Sequence, residues 1–201
     1  MNRKEYKKYL LELEESGKLW KIYKKASKVH DEVNQFYGPY PYSYHLWEVG
    51  KIVKHWGYYV CTNPSHIITI LFGAYFHDSI EDARLTYNDV KKIAKELEIP
   101  NPELAADIVY ALTNEKGKNR QERESNKYFE GIQKIPYAPF IKLADRAANI
   151  WYSKSTSSRM FNVYLEEWSS FIHGLTTSRE EPEYSLPNEL IYLVEKILKH
   201  G

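Results

Sequence analysis

The sequence predicts an all-α protein, and two patterns lead to this prediction. Apolar residues recur at spacings of three and four positions along most of the chain, as they do in helices that bury one face. No segment shows a convincing alternation of apolar and polar residues, which is typical of a half-buried strand. We therefore expect helices packed around a hydrophobic core.

Residue types that end or begin helices mark the breaks between the predicted helices. Gly17 is expected to stop the first helix, and the turn Gly38-Pro39-Tyr40-Pro41 precedes the third. Thr86 and Asp89 form a capping box, and Asn101-Pro102 is a cap with proline at the first helical position. The apolar stripes of the helices are Tyr9, Leu10 and Leu13; Ile22, Ala26, Val29 and Val33; His45, Val49, Ile52, Val53 and Trp56; Val90, Ile93, Ala94 and Leu97; Leu104, Ala105, Ile108 and Leu112; Phe140, Leu143, Ala144, Ala147, Ile150 and Trp151; Phe161, Tyr164, Leu165, Trp168, Phe171 and Ile172; and Leu190, Leu193, Val194, Ile197 and Leu198.

The length of 201 residues is enough for one domain with a substantial core. We expect a single domain over residues 1–201, with its core at about 20–155 and C-terminal helices at 158–200 packed on that core. Residues 113–126 and 176–187 are predicted to be mobile loops.

Composition argues against several classes of function. The formal net charge is +1, so the protein has no overall field that would attract nucleic acid or an anionic membrane. Cys61 is the single cysteine, which excludes a disulfide within the chain and is compatible with a reducing compartment. The first residues lead into no signal-peptide core, and the apolar run at 67–76 is far shorter than the ~20 residues of a membrane span. We therefore expect a cytoplasmic protein.

The most informative segment is Phe76-His77-Asp78-Ser79-Ile80-Glu81-Asp82, which follows the most hydrophobic run of the chain. Charged groups at the end of a buried helix cost several kcal/mol unless they are paired, and a divalent cation can pair with them. At ~100° per residue the histidine and the glutamate lie one helical turn apart, as do the two aspartates, so the four side chains would share one polar arc. Nitrogen and carboxylate ligands together suit Zn, Mn or Fe. The ordinary alternative is a helix end with solvated acids and one hydrogen-bonded histidine.

Two further groups of polar residues indicate a functional site only when they are considered together with this segment. His45 lies on the apolar stripe of its helix, where a lone histidine is usually a packed core residue. Asp145 and Asn149 lie one turn apart on the side opposite the main apolar stripe of their helix. From periodicity alone, a solvent-facing acid and amide is the favoured interpretation of that pair.

Taken together, these pieces resemble the HD phosphohydrolase superfamily. Within it, they are similar to the (p)ppGpp hydrolase domain of the RelA/SpoT-type alarmone enzymes and their small stand-alone relatives. The resemblance covers roughly residues 20–155. The matching segments are Gly38-Pro39-Tyr40-Pro41-Tyr42-Ser43-Tyr44-His45, Phe76-His77-Asp78-Ser79-Ile80-Glu81-Asp82, Ala111-Leu112-Thr113-Asn114 and Lys142-Leu143-Ala144-Asp145-Arg146-Ala147-Ala148-Asn149.

The resemblance implies a mononuclear metal site. Its protein ligands would be His45, His77, Asp78 and Asp145, and the metal would be one divalent ion, commonly Mn²⁺, with Zn²⁺ or Fe²⁺ also compatible. No histidine lies between Asp78 and Asp145, whereas HD enzymes with two metals generally supply extra histidines in that interval. A single metal is therefore favoured.

The resemblance also implies the roles of the remaining site residues. Glu81 and Asp82 match an acidic pair that orients or activates the attacking water, and Asn149 matches a residue near the ribose and phosphates of the substrate. The charged loop after Asn114 has an ordinary interpretation as a solvated loop. Its other interpretation is a basic rim for phosphates, for which Lys118 and Arg120 are our candidates.

One segment departs from the pattern of the alarmone hydrolases. They carry an Arg-Lys pair before the Gly-x-Pro-Tyr turn, and the arginine stacks on guanine, but this chain has Gln35-Phe36-Tyr37. We expect Phe36 or Tyr37 to lie against the base instead, with a weaker preference for guanine. The turn also has Tyr40 in an extra position, and Leu46 follows His45 where the family favours proline.

The sequence thus predicts an HD-domain, metal-dependent phosphohydrolase of a small phosphorylated nucleotide, with removal of the 3′-pyrophosphate of (p)ppGpp as the leading reaction. Two alternatives remain. One is an HD nucleotidase or nucleoside-phosphate phosphatase with a different substrate. The other is a non-catalytic nucleotide-binding module, against which the presence of both Glu81 and Asp82 argues. The expected partner is the nucleotide alone, without nucleic acid or membrane.

Overall fold

Helices make up most of the structure, a computed structural model that describes residues 1–114 and 118–199. The predicted all-α fold class is confirmed, with one small hairpin in addition. The elements are α1 (Arg3–Glu15), α2 (Lys18–Asp31), β1 (Phe36–Tyr37), β2 (Tyr40–Pro41), α3 (Ser43–Trp56), α4 (His66–Phe76), α5 (Tyr87–Glu96), α6 (Pro102–Leu112), α7 (Arg120–Arg123), α8 (Asn126–Gln133), α9 (Ala138–Ser155), α10 (Met160–Leu175) and α11 (Asn188–Lys199), with 3₁₀ turns at Gly57–Tyr59 and Pro182–Tyr184.

Helix α4 is the centre of the core. Every residue from Ile67 to Phe76 is buried, as expected for a helix that is apolar on all sides. It packs against α1, α2, α3, α6 and α9. Among the described residues, no helix is both long and apolar enough to cross a membrane. The central helix therefore places the residue that follows it, His77, deep in the protein.

Helices α3 and α9 complete the frame around the end of α4. The two helices contact each other and both contact α4. Helix α3 buries His45, and α9, the longest helix at 18 residues, buries Asp145. On the outer side of α9 lie α10 and α11. Three mutually packed helices thus bring residues from three distant parts of the sequence together.

The chain after α4 differs from the helical arc that the sequence predicts. Helix α4 ends at Phe76, and residues 77–82 form turns in which Ser79 N donates to Phe76 O at 2.9 Å and Asp82 N donates to Asp78 O at 2.8 Å. Leaving the helix lets His77 stay buried while Glu81 and Asp82 reach the surface. The four polar side chains therefore do not share one helical face.

Other predicted boundaries agree with the structure. The capping box of Thr86 and Asp89 opens α5, and Pro102 is the first residue of α6, although the Asn101 side chain makes no capping bond. The loop predicted at 113–126 contains the short helix α7, and the one at 176–187 contains a 3₁₀ turn. Residues 115–117 of the first loop lie outside the described part.

The hairpin of β1 and β2 was not expected, because two-residue strands are too short to show an alternating pattern. Phe36 pairs with Pro41 and Tyr37 with Tyr40. Gly38, at the turn, has a φ of +59°, and a Cβ there would clash with the Tyr152 hydroxyl. Both the backbone conformation and the close contact therefore require glycine.

The contact between α3 and α4 can be tested at Gly50. A methyl group there would overlap Cε1 of the buried Tyr75 ring, so Gly50→Ala should overpack the core at a cost of ~1–3 kcal/mol. The gain in helix propensity is only ~1 kcal/mol. We expect a net loss in the free energy of unfolding, measured by urea denaturation.

Gly131 in α8 provides the matched control. A Cβ at Gly131 meets no atom within 4 Å, so Gly131→Ala should keep or raise stability by up to ~1 kcal/mol. If Gly50→Ala were as stable as Gly131→Ala, the close packing of α3 on Tyr75 would be refuted.

Candidate metal centre

Four polar side chains meet where α3, the end of α4 and α9 come together. His45 Nε2 lies 3.3 Å from His77 Nε2 and 3.2 Å from Asp145 Oδ1. Asp78 Oδ2 lies 2.8 Å from His77 Nε2 and 3.9 Å from His45 Nε2. The donor atoms of His45, His77 and Asp145 all fall within 4.8 Å of one another.

These donors suit a divalent cation. Ligand atoms bound to one ion at ~2.1 Å are roughly 3–4 Å apart, which is the range found here. His77 donates from Nδ1 to Ala74 O at 2.9 Å, which fixes its tautomer and leaves the Nε2 lone pair facing the cluster. A set of two imidazole nitrogens and two carboxylate oxygens is compatible with Mn, Fe or Zn.

The electrostatics of the cluster indicate a demand for positive charge. Burial alone would lower the pKa of His77, but the carboxylates of Asp78 and Asp145 outweigh it and raise this pKa to about 10. Burial alone would raise the pKa of both carboxyls. His77 holds the pKa of Asp78 well below its usual value, and Lys142 with the two histidines does the same for Asp145. Without a cation, the two acids hold a proton on the neighbouring imidazole.

Neighbouring side chains hold the two carboxylates by hydrogen bonds. The Tyr42 hydroxyl donates to Asp78 Oδ2. Lys142 Nζ donates to Asp145 Oδ2 at 3.1 Å, and Asn149 Nδ2 donates to Asp145 Oδ1 at 2.6 Å. Charge-assisted bonds of this kind are among the stronger hydrogen bonds in proteins. The carboxylates are thus oriented by the protein itself.

Glu81 and Asp82 lie at the rim of the cluster and are solvent-exposed. Asn114 binds Glu81 twice, from its side-chain Nδ2 at 3.0 Å and its backbone N at 3.3 Å. Gln35 Nε2 donates to Asp82 Oδ2 at 2.6 Å. Partial loss of hydration of the carboxyl and the charge of Asp78 raise the pKa of Asp82 to about 6. A carboxyl with a pKa this close to neutral pH can both accept and donate a proton.

The predicted substrate-binding residues occupy different positions. Tyr37 stacks on the His45 ring at 4.7 Å, and its hydroxyl donates to Asn149 Oδ1 at 2.7 Å, so both Tyr37 and Asn149 belong to the wall of the cluster. Phe36 is 64% exposed. Lys118 is exposed in the loop after Asn114. The side chain of Arg120 lies outside the described part.

The expectation of a solvent-facing pair at Asp145 and Asn149, drawn from periodicity alone, is wrong. Asp145 is 6% exposed because α10 and α11 cover the outer side of α9 while α3 and α4 cover the inner side. A helix that is covered on both sides buries residues outside its main apolar stripe. The polar side of α9 is an internal one.

Sequence reasoning missed several residues that support the cluster. Tyr42 and Lys142 lie within the segments that match the HD family, one helical turn before His45 and Asp145. That spacing is the signal that could have identified them. Asn114 also lies in a matching segment, but the resemblance implied no role for it. No comparable signal marked Gln35 or His30, because their contacts depend on the fold of the hairpin region.

No model of a known protein family matches the chain, and no curated protein matches its sequence. A solved structure is similar to it: "A metazoan ortholog of SpoT hydrolyzes ppGpp and plays a role in starvation responses". The TM-score is 0.63 at 21% sequence identity, and the match covers 91% of this chain and 94% of the other. The chain therefore shares the fold of that protein, which confirms the fold expected from the resemblance.

Arg146, next to Asp145, anchors α9 and offers a test of the site's support. It is 3% exposed and its guanidinium binds Glu167 at 2.8 Å and Glu124 at 2.9 Å over the ring of Phe171. Arg146→Met should lower the free energy of unfolding by ~2–4 kcal/mol, because two partly buried carboxylates each lose a charged hydrogen bond to the guanidinium. Urea denaturation without metal measures the loss.

An exposed ion pair gives the control for that variant. Lys28→Ala removes the surface pair of Lys28 with Glu32 at 3.7 Å and should change stability by no more than ~0.5 kcal/mol. Equal, small effects of the two variants would contradict an anchoring role for Arg146.

Proposed function

We propose that this protein is a cytoplasmic, metal-dependent phosphohydrolase that removes the 3′-pyrophosphate of a (p)ppGpp-type nucleotide. The observation that carries the proposal is the buried cluster of two imidazoles and two carboxylates with a pair of acids at its rim. Its support is the shared fold with a protein described as hydrolysing ppGpp.

In this proposal His45, His77, Asp78 and Asp145 hold one divalent cation, for which Mn²⁺ is our choice over Zn²⁺ or Fe²⁺. When bound, such an ion lowers the pKa of a water molecule and offsets negative charge on a phosphoryl group. The protein orients three of the four ligands by hydrogen bonds, His77 through Ala74 O, Asp78 through Tyr42 and Asp145 through Lys142, and the Tyr37 ring stacks on the fourth, His45. Their positions are therefore set before any ligand arrives.

The acids at the rim carry the proton transfers. Glu81, oriented by Asn114, would accept the proton of the attacking water on a carboxylate oxygen. Asp82, whose pKa is about 6, would orient the water or give a proton to the ribose 3′ oxygen as its bond to phosphorus breaks. Asn149 uses one amide hydrogen on Asp145, so its second hydrogen is left for a ribose or phosphate oxygen of the substrate.

Recognition of the base is assigned to Phe36. The Tyr37 ring already contacts the rings of His45 and Tyr152, whereas Phe36 is exposed and can offer a face to a purine. Stacking of a base on an aromatic ring contributes ~1–3 kcal/mol. The cationic Lys118 would meet phosphates at the loop that begins beside Glu81.

The proposal makes a prediction about metal content. Protein reconstituted with Mn²⁺ should bind close to one metal per chain, because the cluster offers one set of converging donors. Elemental analysis gives the ratio, and His45→Ala should lose the ion. Two tightly bound ions, or full retention in His45→Ala, would refute the assigned ligands.

Glu81→Gln separates chemistry from metal binding. We expect kcat to fall by ~10²–10⁴ with metal content unchanged, because the amide cannot accept a proton. Steady-state kinetics and elemental analysis are measured on the same sample. Glu32→Gln, at an exposed position of the same charge, is the control. Loss of the metal in Glu81→Gln would make Glu81 a ligand instead.

Phe36→Ala tests recognition of the base. The variant should raise KM for ppGpp by ~5- to 150-fold with a smaller change in kcat, since ~1–3 kcal/mol of stacking is lost. Tyr192→Ala, which truncates a more exposed aromatic on α11, should leave both constants unchanged. An unchanged KM in Phe36→Ala would remove Phe36 from the substrate site.

A substrate comparison decides between the leading reaction and its alternatives. Released phosphate and pyrophosphate are measured separately for ppGpp, its adenine counterpart and simple 3′- and 5′-monophosphates. Pyrophosphate release from ppGpp supports the proposal, with weaker preference for guanine than an arginine would give. Turnover of 5′-monophosphates alone would make the protein a nucleotidase. Binding without any turnover would make it a non-catalytic nucleotide-binding module.

A further inference from the structure

A chain of hydrogen bonds links a buried histidine of α2 to the acid Asp82. His30 is fully buried, and its Nδ1 lies 2.5 Å from Gln35 Oε1. The other end of the same amide, Gln35 Nε2, donates to Asp82 Oδ2 at 2.6 Å. The amide of Gln35 thus spans the space between α2 and the segment that follows α4.

We infer that Gln35 is a positioning residue that fixes the carboxylate of Asp82 for the reaction, and that His30 sets the direction of the Gln35 amide. The inference rests on the proposed hydrolase function, which assigns Asp82 to the chemistry.

The direction of the amide follows from donors and acceptors. An ionised carboxylate only accepts hydrogen bonds, so Gln35 must turn its NH₂ group to Asp82 and its oxygen to His30. Burial lowers the pKa of His30, which is therefore neutral and has one ring proton. That proton must lie on Nδ1 to satisfy the Gln35 oxygen. A flipped amide would set an oxygen against the carboxylate and leave Nδ1–H facing an NH₂ group.

The backbone around Gln35 holds the amide in place. Gln35 N donates to His30 O at 3.1 Å, and Tyr42 N donates to Gln35 O at 3.3 Å. Asn34 turns the chain with a φ of +54°, a conformation that asparagine tolerates better than most residues. The short segment is therefore tied both to the end of α2 and to the start of α3.

His30 is linked to both aspartates of the segment after α4. Its ring stacks on the Tyr42 ring with centroids 4.6 Å apart, and the Tyr42 hydroxyl donates to Asp78. Through Gln35 it reaches Asp82. One buried imidazole thus supports a metal-ligand candidate and an acid of the rim together.

Residues 35–37 divide their side chains between the site and solvent. Successive side chains of an extended segment point to opposite sides, and here Gln35 and Tyr37 point inward to Asp82 and Asn149 while Phe36 points outward. Three consecutive residues therefore hold two site residues and offer a surface to the base. The segment that departs from the Arg-Lys pair of the alarmone hydrolases therefore includes the residue that binds Asp82.

The test begins with Gln35→Leu, which keeps much of the side-chain volume without the amide. We expect kcat to fall roughly 10- to 100-fold, the size of effect for a lost hydrogen bond to a charged group, with KM and metal content within about twofold. Gln133→Leu is the control. It removes an amide that donates to Gly174 O and contacts none of the site residues named above, so it should leave kcat unchanged. Unchanged kcat in Gln35→Leu would overturn the inference.

A double-mutant cycle distinguishes positioning from general damage. If Gln35 acts through Asp82, Gln35→Leu should have less than about a twofold effect on kcat in the Asp82→Asn background. Multiplicative losses would overturn the inference. His30→Phe keeps the ring against Tyr42 without the donor and should reproduce part of the Gln35→Leu loss.

A measurement without substrate keeps the inference separate from the proposed function. The bond from Gln35 favours the ionised form of Asp82, so carbon-13 NMR titration should show a higher pKa for Asp82 in Gln35→Leu than in the unaltered protein. An unchanged pKa would refute the positioning contact even in an active enzyme. If the unaltered protein hydrolysed no nucleotide but the pKa rose, the proposed function would fail and the contact would stand.

Discussion

The placement of two carboxylates, the buried Asp145 and the half-buried Asp78, where three packed helices meet is the constraint on which the rest of the structure depends. Asp78 and Asp145 lie beside His45 and His77 at the end of α4, whose residues are all buried. A buried charge without a partner costs several kcal/mol, so this arrangement is stable only if cations or donors surround each acid. The neighbouring side chains offset that cost by donating hydrogen bonds to the carboxylates.

The hydrogen-bond donors of the two acids come from different elements. Lys142 and Asn149, on the same helix as Asp145, donate to its two oxygens, and Tyr42 donates to Asp78. Each hydrogen bond to a charged group contributes ~1.5–3 kcal/mol, so one alone does not offset the burial of a carboxylate. The remaining demand for positive charge is met by a proton on His77 or by a divalent cation. The stability of the core and the affinity of the candidate metal site therefore depend on the same charged side chains.

The hairpin connects this buried centre to the surface. Tyr37 covers His45 and binds Asn149, and Gln35 binds Asp82, while Phe36 between them faces solvent. Asn114 has the corresponding role for Glu81 from the end of α6. The acids of the rim thus keep fixed orientations although they are exposed. Preorganised groups of this kind favour catalysis because they need not be ordered during the reaction.

The sequence by itself determined the helical class, most helix boundaries and the residues of the central cluster. Periodicity identified α3, α4 and α9, and the resemblance joined His45, His77 and Asp145 although they are far apart in the chain. These features depend on local sequence or on short motifs, so they can be predicted from the sequence.

Only the tertiary structure decided how those residues are arranged. The helical arc predicted for residues 77–82 fails because α4 ends at Phe76, where the chain must leave the core to expose Glu81 and Asp82. Asp145 is buried because helices cover both sides of α9, which periodicity within one helix cannot indicate. The bond from Gln35 to Asp82 joins residues 47 positions apart, and Gln35 lies directly before the short hairpin. Contacts of that range depend on the packing of whole elements, and no local pattern of residue types specifies them.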